Sequence, residues 1–436
     1  MKNIFKKILI WILKTESQLV LKKYKPKIVA ITGSIGKTST KDALYNVLSP
    51  FCYVRKTEKS YNSQIGLPLV VLGIPNGWND SVLWIKNILK GLWLIIWPHE
   101  YPEWLILEVG VGRPGDMKET ASWLSTDIVI ITAIGQIPPH IEFFNSKKHL
   151  IEEKSLLIKT LKKTGLLVLN ADDESVLEMK FKTKCRVITY GFNSEADFIA
   201  SSENILYGTK DTNKKNIPLG ISFKLNENGK SLPVIINGAF GINHLYASIA
   251  SLAVVSEFKI NILEAIDALK NYDVPKGRMR LLEGAKYSTI IDDTYNSSPF
   301  ACEAALKRLQ EVNTFGRKIA VLGDMLELGK HTEEAHVAIG NIAKEICTIL
   351  VVVGSRAHFI KTGAQNAGMP EENIFEFFNA RDAGEFVRNT IQEGDVVLIK
   401  GSQGMRMERA VEVLLKDPKK KKNLLVRQEK EWLEKY

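Results

Sequence analysis

From Lys27 onward two periodicities alternate along the chain. Short β-branched runs (KIVAIT, WLILEVG, DIVIITAI, GLLVLN, CRVITYG) each precede a stretch in which apolar residues return every three or four positions. Strands that are buried on both faces read as unbroken apolar runs, and the helical stretches between them supply the covering layers. The pattern therefore predicts a mostly parallel sheet covered by helices on both faces. Residues 193–235 are more polar and irregular, as expected of hairpins or loops, before NHLYASIASLAVVSEF resumes a helical period. The stretch YDVPKGRMR, with Pro and Gly between two such sets, is the predicted domain boundary. Beyond it STIIDD, KIAVLGD, ILVVVG, NIFEFF and DVVLIKG restart the alternation, predicting a second, smaller doubly wound domain. The expected fold class is α/β: a central domain over residues 27–273 and a C-terminal Rossmann-like domain over 274–415. A helix over 1–26 and a basic tail over 416–436 frame them.

Two segments break the alternation. In MKNIFKKILIWILKTESQLVLKKYKPK, residues Ile4, Phe5, Ile8, Leu9, Trp11 and Ile12 fall on one helical face, with Lys6, Lys7 and Lys14 opposite. The expectation is a helix packed on the first domain; the alternative is a helix lying on an anionic membrane surface. SVLWIKNILKGLWLIIWP, residues 81–98, is apolar nearly all round as a helix, with Lys86, Asn87 and Lys90 as a narrow polar strip. Both segments fall short of the roughly 20 apolar residues that a spanning helix needs. Burial beneath the N-terminal helix is the expectation for 81–98, and a shared membrane-facing patch of residues 1–24 and 81–98 the alternative.

A chain of 436 residues is long enough for two or three domains with full cores. The formal charge of +10 would suggest nucleic acid were it spread over the body, but it is not. Residues 1–27 carry +7 and residues 416–436 carry +4, which leaves the body close to neutral and excludes a basic groove. The four cysteines, Cys52, Cys185, Cys302 and Cys347, lie far apart with no CxxC pair. That spacing argues against a zinc ribbon or a disulfide framework and for a reducing, cytosolic setting.

The chemistry starts at ITGSIGKTST, residues 31–40, directly after a predicted strand. Gly33 and Gly36 let backbone N–H groups turn inward, and the helix that follows adds partial positive charge at its N-terminus. Lys37 can reach outer phosphates, and the Thr38 hydroxyl can ligate Mg²⁺. Gly33, Ser34, Ile35, Gly36, Lys37, Thr38 and Ser39 thus form a short phosphate-binding loop. Kinases, GTPases, motor ATPases and ligases all remain open at this point, although the NKxD that reads guanine is absent.

The ordered motifs that follow resemble the Mur ligase family of ATP-dependent amide ligases over roughly residues 27–415. The short loop TGSIGKTST is the form found in that family. NSQIGLPLVVL, from Asn62, is similar to its Asn-containing stretch before a Gly-x-Pro, and the resemblance gives Asn62 a substrate-binding role. LEVGVGRPGDM resembles the strand that ends in a Mg²⁺-holding Glu, here Glu108; a carboxylate at a strand end beside the loop suits a hard cation. IGQIPPHIEFF places His140 where the family has a histidine serving a second metal, with Ala133 where an Asn is common. HLIEEKSLL sets Lys154 at the position of the family's carbamylated lysine, which would make it an anion able to bridge metals or orient a phosphate. LNADD resembles a segment near the nucleotide, which implicates Asn170, and GINHLYAS places Asn243 and His244 where the adenine-side pair has the opposite order.

In the second domain KGRMR matches a Gly-Arg at the domain junction, so that Arg278 is implied in phosphate or closure contacts. DDTYNSSP closely resembles the family's Asp-Asp-x-Tyr-Asn-x-x-Pro, implying catalytic roles for Asp293 and Asn296. LIKGSQGMRME places Lys400, Ser402 and Arg406 along the site of the incoming amine. The resemblance implies ATP and Mg²⁺ as cofactors, with Lys37, Lys154 and His140 at the catalytic centre and Thr38, Glu108, His140 and Lys154 around metal. It also implies an acyl phosphate made at a substrate carboxylate, then attacked by an amine as two domains close.

The nearest members in pattern add D-alanyl-D-alanine to a UDP-N-acetylmuramoyl-tripeptide in cytoplasmic peptidoglycan synthesis. Those members carry a UDP-gripping domain ahead of the loop, and only about thirty residues precede it here. The expected carboxylate is therefore a UDP-linked or a lipid-linked muropeptide. The alternatives are a folate, polyglutamate or tetrapyrrole precursor, or a non-catalytic ATP-binding scaffold that docks at the inner face of the membrane.

Overall fold

The computed structural model describes residues 2–58, 64–135, 143–208, 216–258 and 260–434. Two compact units divide the chain. The first comprises Met1–Ser202, Phe223–Val234 and Ile242–Asp273; the second comprises Glu203–Ser222, Ile235–Gly241 and Val274–Tyr436.

The first unit is built on β1 (Lys27–Thr32), β2 (Val54–Lys56), β3 (Trp104–Glu108), β4 (Thr126–Ile131), β5 (Leu161–Asn170) and β6 (Arg186–Gly191), in the order β2-β3-β1-β4-β5-β6, all parallel. β1 and β3 are buried almost end to end, as their continuous apolar sequence requires of central parallel strands. The sheet runs on through β7 (Phe198–Gly208), β8 (Ile217–Glu227) and β9 (Lys230–Asn237), whose residues are shared between the two units. Residues 193–235, expected to form hairpins or loops, carry three strands over most of the span, with β8 and β9 joined by the two residues Asn228 and Gly229, and their alternating buried and exposed positions mark a half-buried face.

The register fixes where chemistry can occur. β1 lies between β3 and β4 and pairs Ile31 with Glu108 and Thr32 with Ile131. The loop after Thr32 and the carboxylate at the end of β3 therefore emerge side by side, at the C-terminal edge where open α/β sheets bind ligands.

Around this sheet stand α1 (Lys2–Tyr24), α2 (Lys37–Leu48), α3 (Gly66–Leu72), α4 (Ser81–Ile96), α5 (Asp116–Ala121) and α6 (Lys147–Ser155). Leu9, Leu13 and Val20 of α1 join the core cluster, so the helix is packed on the first unit, as one of the two readings expected. The expectation that 81–98 would be buried beneath the N-terminal helix holds for one side of α4 only, where Ile88, Leu94 and Ile95 pack on the core. Ile85, Leu89, Trp93 and Ile96 of α4 are exposed, while Trp84, Asn87 and Gly91 face inward.

The second unit has a six-stranded sheet of β10 (Arg280–Glu283), β11 (Thr289–Asp293), β12 (Lys318–Gly323), β13 (Ile349–Val353), β14 (Ile374–Phe377) and β15 (Val396–Lys400). Its order is β10-β11-β15-β12-β13-β14, parallel except for β10. Ile290, Val321, Val351, Val397 and Ile399 form its centre. Among the described residues, no helix is long and apolar enough to cross a membrane.

Candidate active site

The turn from β1 into α2 depends on its glycines. Gly33 has φ +147°, and a Cβ there would stand 2.0 Å from the Thr132 hydroxyl; Gly36 adopts φ +86°. Neither conformation suits an L side chain. Ser34 and Ile35 direct their N–H groups to the Ala133 carbonyl at 2.7 and 3.0 Å, so these two donors bind the neighbouring strand end and do not turn inward. Position 133 thus contributes its backbone, whatever its side chain. Ser34 keeps a buried hydroxyl with no hydrogen-bond partner among the described residues. The first turn of α2 presents Lys37, Thr38 and Ser39.

Two lysines converge on one oxygen. The ammonium groups of Lys37 and Lys154 each donate to the Gly33 carbonyl at 2.9 Å, although 117 positions of sequence separate the two residues. Lys154 is 3% exposed on α6. Burial, reinforced by the neighbouring Lys37 charge, pulls its ammonium down to about 7. An ammonium held there gives up its proton more readily than that of an ordinary lysine.

Thr38 donates to both carboxylate oxygens of Glu108, at 3.2 and 3.1 Å. Lys41, buried one turn further along α2, lies 3.8 Å from Glu108 and 3.5 Å from Asp42, and Asp42 in turn holds Lys56 at 2.8 Å. A hydroxyl and a carboxylate side by side at a strand end are hard oxygen donors, the set Mg²⁺ takes together with water and phosphate oxygens. Among the described residues, no group of three or more His, Cys, Asp or Glu side chains could hold a metal by itself. The donor set thus fits a cation shared with a phosphate better than one held in an all-protein cage.

A cavity of about 540 Å³ opens at the loop. Gly33, Ser34, Lys37 and Lys154 line one part of it; Gly110, Arg113 and Asp116 line another; Lys6 and Ile10 of α1, with Gln64 and Ile65, complete the wall. Glu153, next to Lys154, accepts from the Gly115 and Met117 N–H groups at 3.0 and 2.9 Å and so fixes the loop that carries Arg113. The sequence pointed to none of Ile10, Lys41, Arg113 and Glu153, and it placed Lys6 only on the polar face of α1. The one available signal was for Glu153, as the carboxylate directly before Lys154.

The remaining expected residues of the first unit are scattered. Asn170 is buried and accepts from Asp172 N–H at 2.9 Å. Asn243 is exposed on the first turn of the helix Ile242–Glu257, whereas His244 is buried. Asp173 accepts from the Ile134 and Gly135 N–H groups at 2.8 and 3.0 Å, holding the chain that follows β4. Asn62 and His140 lie outside the described residues.

In the second unit Asp293 and Lys400 end the adjacent parallel strands β11 and β15 in register, and their side chains pair at 2.6 Å. Lys400 also donates to the Asn296 carbonyl at 2.9 Å, and Asp293 accepts from Met279 N–H. Ser402 receives Leu326 N–H on its hydroxyl at 2.9 Å. Arg406 is tied to Glu408 at 2.6 Å and to the Trp432 carbonyl, and Arg278 stacks on Tyr295 at 4.0 Å. Asp292, fully buried next to Asp293, has its carboxyl pushed up to about 6 by burial, against the lowering effect of its bonds from Thr294 and Gly277.

Comparison with known proteins supplies independent findings. The family model for the Mur ligase middle domain matches residues 92–252, and the model for the Mur ligase glutamate ligase domain matches 277–403. The chain is similar to the UDP-N-acetylmuramoyl-tripeptide--D-alanyl-D-alanine ligase of Bacillus subtilis (strain 168), 28% identical over 393 residues, which cover 90% of this chain and 76% of that protein. It is 26% identical over 409 residues to the Mycobacterium tuberculosis (strain H37Rv) protein of the same name, covering 89% and 73%. Its fold is similar to that of MurF ligase from Thermotoga maritima in complex with ADP, with TM-score 0.72 and 24% identity over 95% of this chain and 84% of that one. MurF from Acinetobacter baumannii gives TM-score 0.72 at 21% identity, covering 92% and 79%.

Proposed function

Because the chain belongs to the Mur ligase family, we propose that it is an ATP-dependent, ADP-forming ligase that adds D-alanyl-D-alanine to UDP-N-acetylmuramoyl-tripeptide in cytoplasmic peptidoglycan synthesis. The observation that carries the reading is the convergence of Lys37 and Lys154 on the Gly33 carbonyl beside the Thr38–Glu108 pair, at the head of a cavity large enough for a phosphate and a carboxylate. The substrate carboxylate attacks the γ-phosphorus, the β–γ bond breaks, and ADP leaves. The amine of the dipeptide then attacks the acyl carbon, loses a proton, and expels phosphate. Lys37 offsets the charge that builds on the transferring group. Thr38 and Glu108 would hold Mg²⁺, which supplies charge neutralisation on the phosphate oxygens.

Lys154 has a second role in this reading. Its neutral amine adds to CO₂ and sheds one proton, leaving a carbamate anion where a cation would repel the metal. Asn170 and Asn243 are assigned to the nucleotide side. Asp293, Asn296, Lys400 and Ser402 are assigned to the amine side, with Arg278 and Arg406 shaping it through Tyr295 and Trp432.

A lipid-linked carboxylate in place of the UDP-linked one is the second reading. One observation favours it: α1, which exposes Ile8 and Trp11, also lines the cavity with Lys6 and Ile10. The test is phosphate release by the purified chain with ATP, each carboxylate and D-alanyl-D-alanine. Release that requires the UDP-tripeptide and the dipeptide together is the expected outcome. Release only with the lipid-linked substrate selects the second reading, and none with either refutes both.

A further inference from the structure

α4 is apolar on both of its sides. Trp84, Ile88, Leu94 and Ile95 pack on the core of the first unit, Asn87 is buried beside them and donates to the Pro75 carbonyl at 2.8 Å, Lys90 reaches the Gly73 carbonyl at 3.1 Å, and Gly91 lies against Glu16 of α1. The other apolar side of α4 faces outward, through Ile85 and Leu89 at 59% exposure, Trp93 at 50%, and Leu92, Ile96 and Trp97. α1 is joined to it by Lys23, whose ammonium binds the Leu94, Ile95 and Trp97 carbonyls. From α1, Ile8 and Trp11 are exposed. An ordinary surface helix has a polar outer side, and monomers seldom leave an apolar face of this extent in water.

Charge decides between occupants. α4 contains no acidic residue, and Glu16, the single acid of α1, is buried. Lys6, Lys7, Lys22 and Lys23 of α1 and Lys86 and Lys90 of α4 are the exposed charges. A second copy would set lysines against lysines, whereas an anionic surface offers partners to those not already engaged elsewhere, Lys7 and Lys86 among them. Tryptophans beside lysines on a helix too short to span are the composition of a segment lying in a headgroup layer.

We propose that the outward face of α4, together with Trp11 of α1, seats on an anionic lipid bilayer. Because α1 also walls the cavity with Lys6 and Ile10, seating puts the acyl substrate's site one helix away from the lipid; that last step rests on the ligase reading.

The test uses the full chain with vesicles of phosphatidylcholine alone and with phosphatidylglycerol added. Co-sedimentation and a blue-shifted tryptophan emission are expected with the anionic vesicles, at least tenfold weaker with the neutral ones. The triple variant Ile85→Ser/Leu89→Ser/Trp93→Ser should lose at least tenfold in binding with unchanged melting, and Lys86→Glu about fivefold or more. The proposal is overturned if neither vesicle binds, if the triple variant binds like the parent, or if light scattering shows a dimer that the triple variant makes monomeric. Vesicle binding without ligase turnover would sink the ligase reading alone. Turnover without vesicle binding would sink this inference alone.

Discussion

At the phosphate loop two ammonium groups, Lys37 and Lys154, share the carbonyl oxygen of Gly33, while in the second unit the Lys400 ammonium rests on the Asp293 carboxylate at 2.6 Å. Both lysine pairs of contacts are buried or nearly so, yet the first cluster concentrates like charge and the second cancels it. Lys37 beside Lys154 helps to pull the Lys154 ammonium down, an arrangement that an anionic ligand between them would favour. The cancelled pair instead holds two strand ends in place whether or not a ligand is present. The contrast separates a site built to receive an anion from a site built to hold its shape.

The largest expected effect tests the first half of that contrast. Lys37→Ala should lower turnover by about a thousandfold, because a charge aimed at a transferring phosphoryl group acts mainly in the transition state. Lys154→Ala should do the same by a different route, and ¹³C NMR with labelled bicarbonate distinguishes them. A carbamate signal should rise between pH 6 and 8 as the amine deprotonates through about 7. It should survive Lys37→Ala and vanish in Lys154→Ala. A signal that persists in Lys154→Ala would assign the carbamate elsewhere.

The second half of the contrast predicts a loss of stability as well as of rate. Lys400→Met leaves Asp293 facing a low-dielectric strand end with its partner gone. The expected cost is about 3 kcal/mol in denaturant unfolding of the second unit's transition. Asp293→Asn/Lys400→Met, which removes both charges, should recover part of it. If the single substitution costs nothing, the pair is not structural and the comparison fails.

Strand ends were legible because apolar runs stop where chemistry begins. Thr32, Glu108, Asp293 and Lys400 all close such runs, and parallel register then makes neighbours of Glu108 and the loop, and of Asp293 and Lys400. Lys154 on Gly33 was not legible as geometry, since nothing local in HLIEEKSLL indicates a contact across the sheet. The wall that α1 gives the cavity was hidden for the same reason. In α4 the difficulty has a different source. The periodicity showed a helix apolar nearly all round, and such a pattern does not say which apolar side meets protein. Strands β7–β9 were legible only as hairpins or loops, because their exposed positions alternate with buried ones and dilute the apolar signal.

The smallest expected effect sets a third charge beside the other two. Glu16 of α1 is 4% exposed, neither of its carboxylate oxygens has a hydrogen-bond partner among the described residues, and burial pushes its carboxyl from 4.5 up to about 7. Its folded pKa lies above its unfolded one, so the folded state holds the extra proton between those values. This group's contribution is therefore most favourable at or below pH 4.5, declines as pH rises, and reaches its full penalty above about 7. Glu16→Gln keeps the shape, removes the ionisation, and should raise stability at pH 8 by about 1–3 kcal/mol while leaving it nearly unchanged at pH 5. Chemical denaturation at the two pH values measures the difference. A substitution that destabilises equally at both would mean that the carboxylate has found a partner, and Glu16 would then belong with Lys400, among charges that are cancelled.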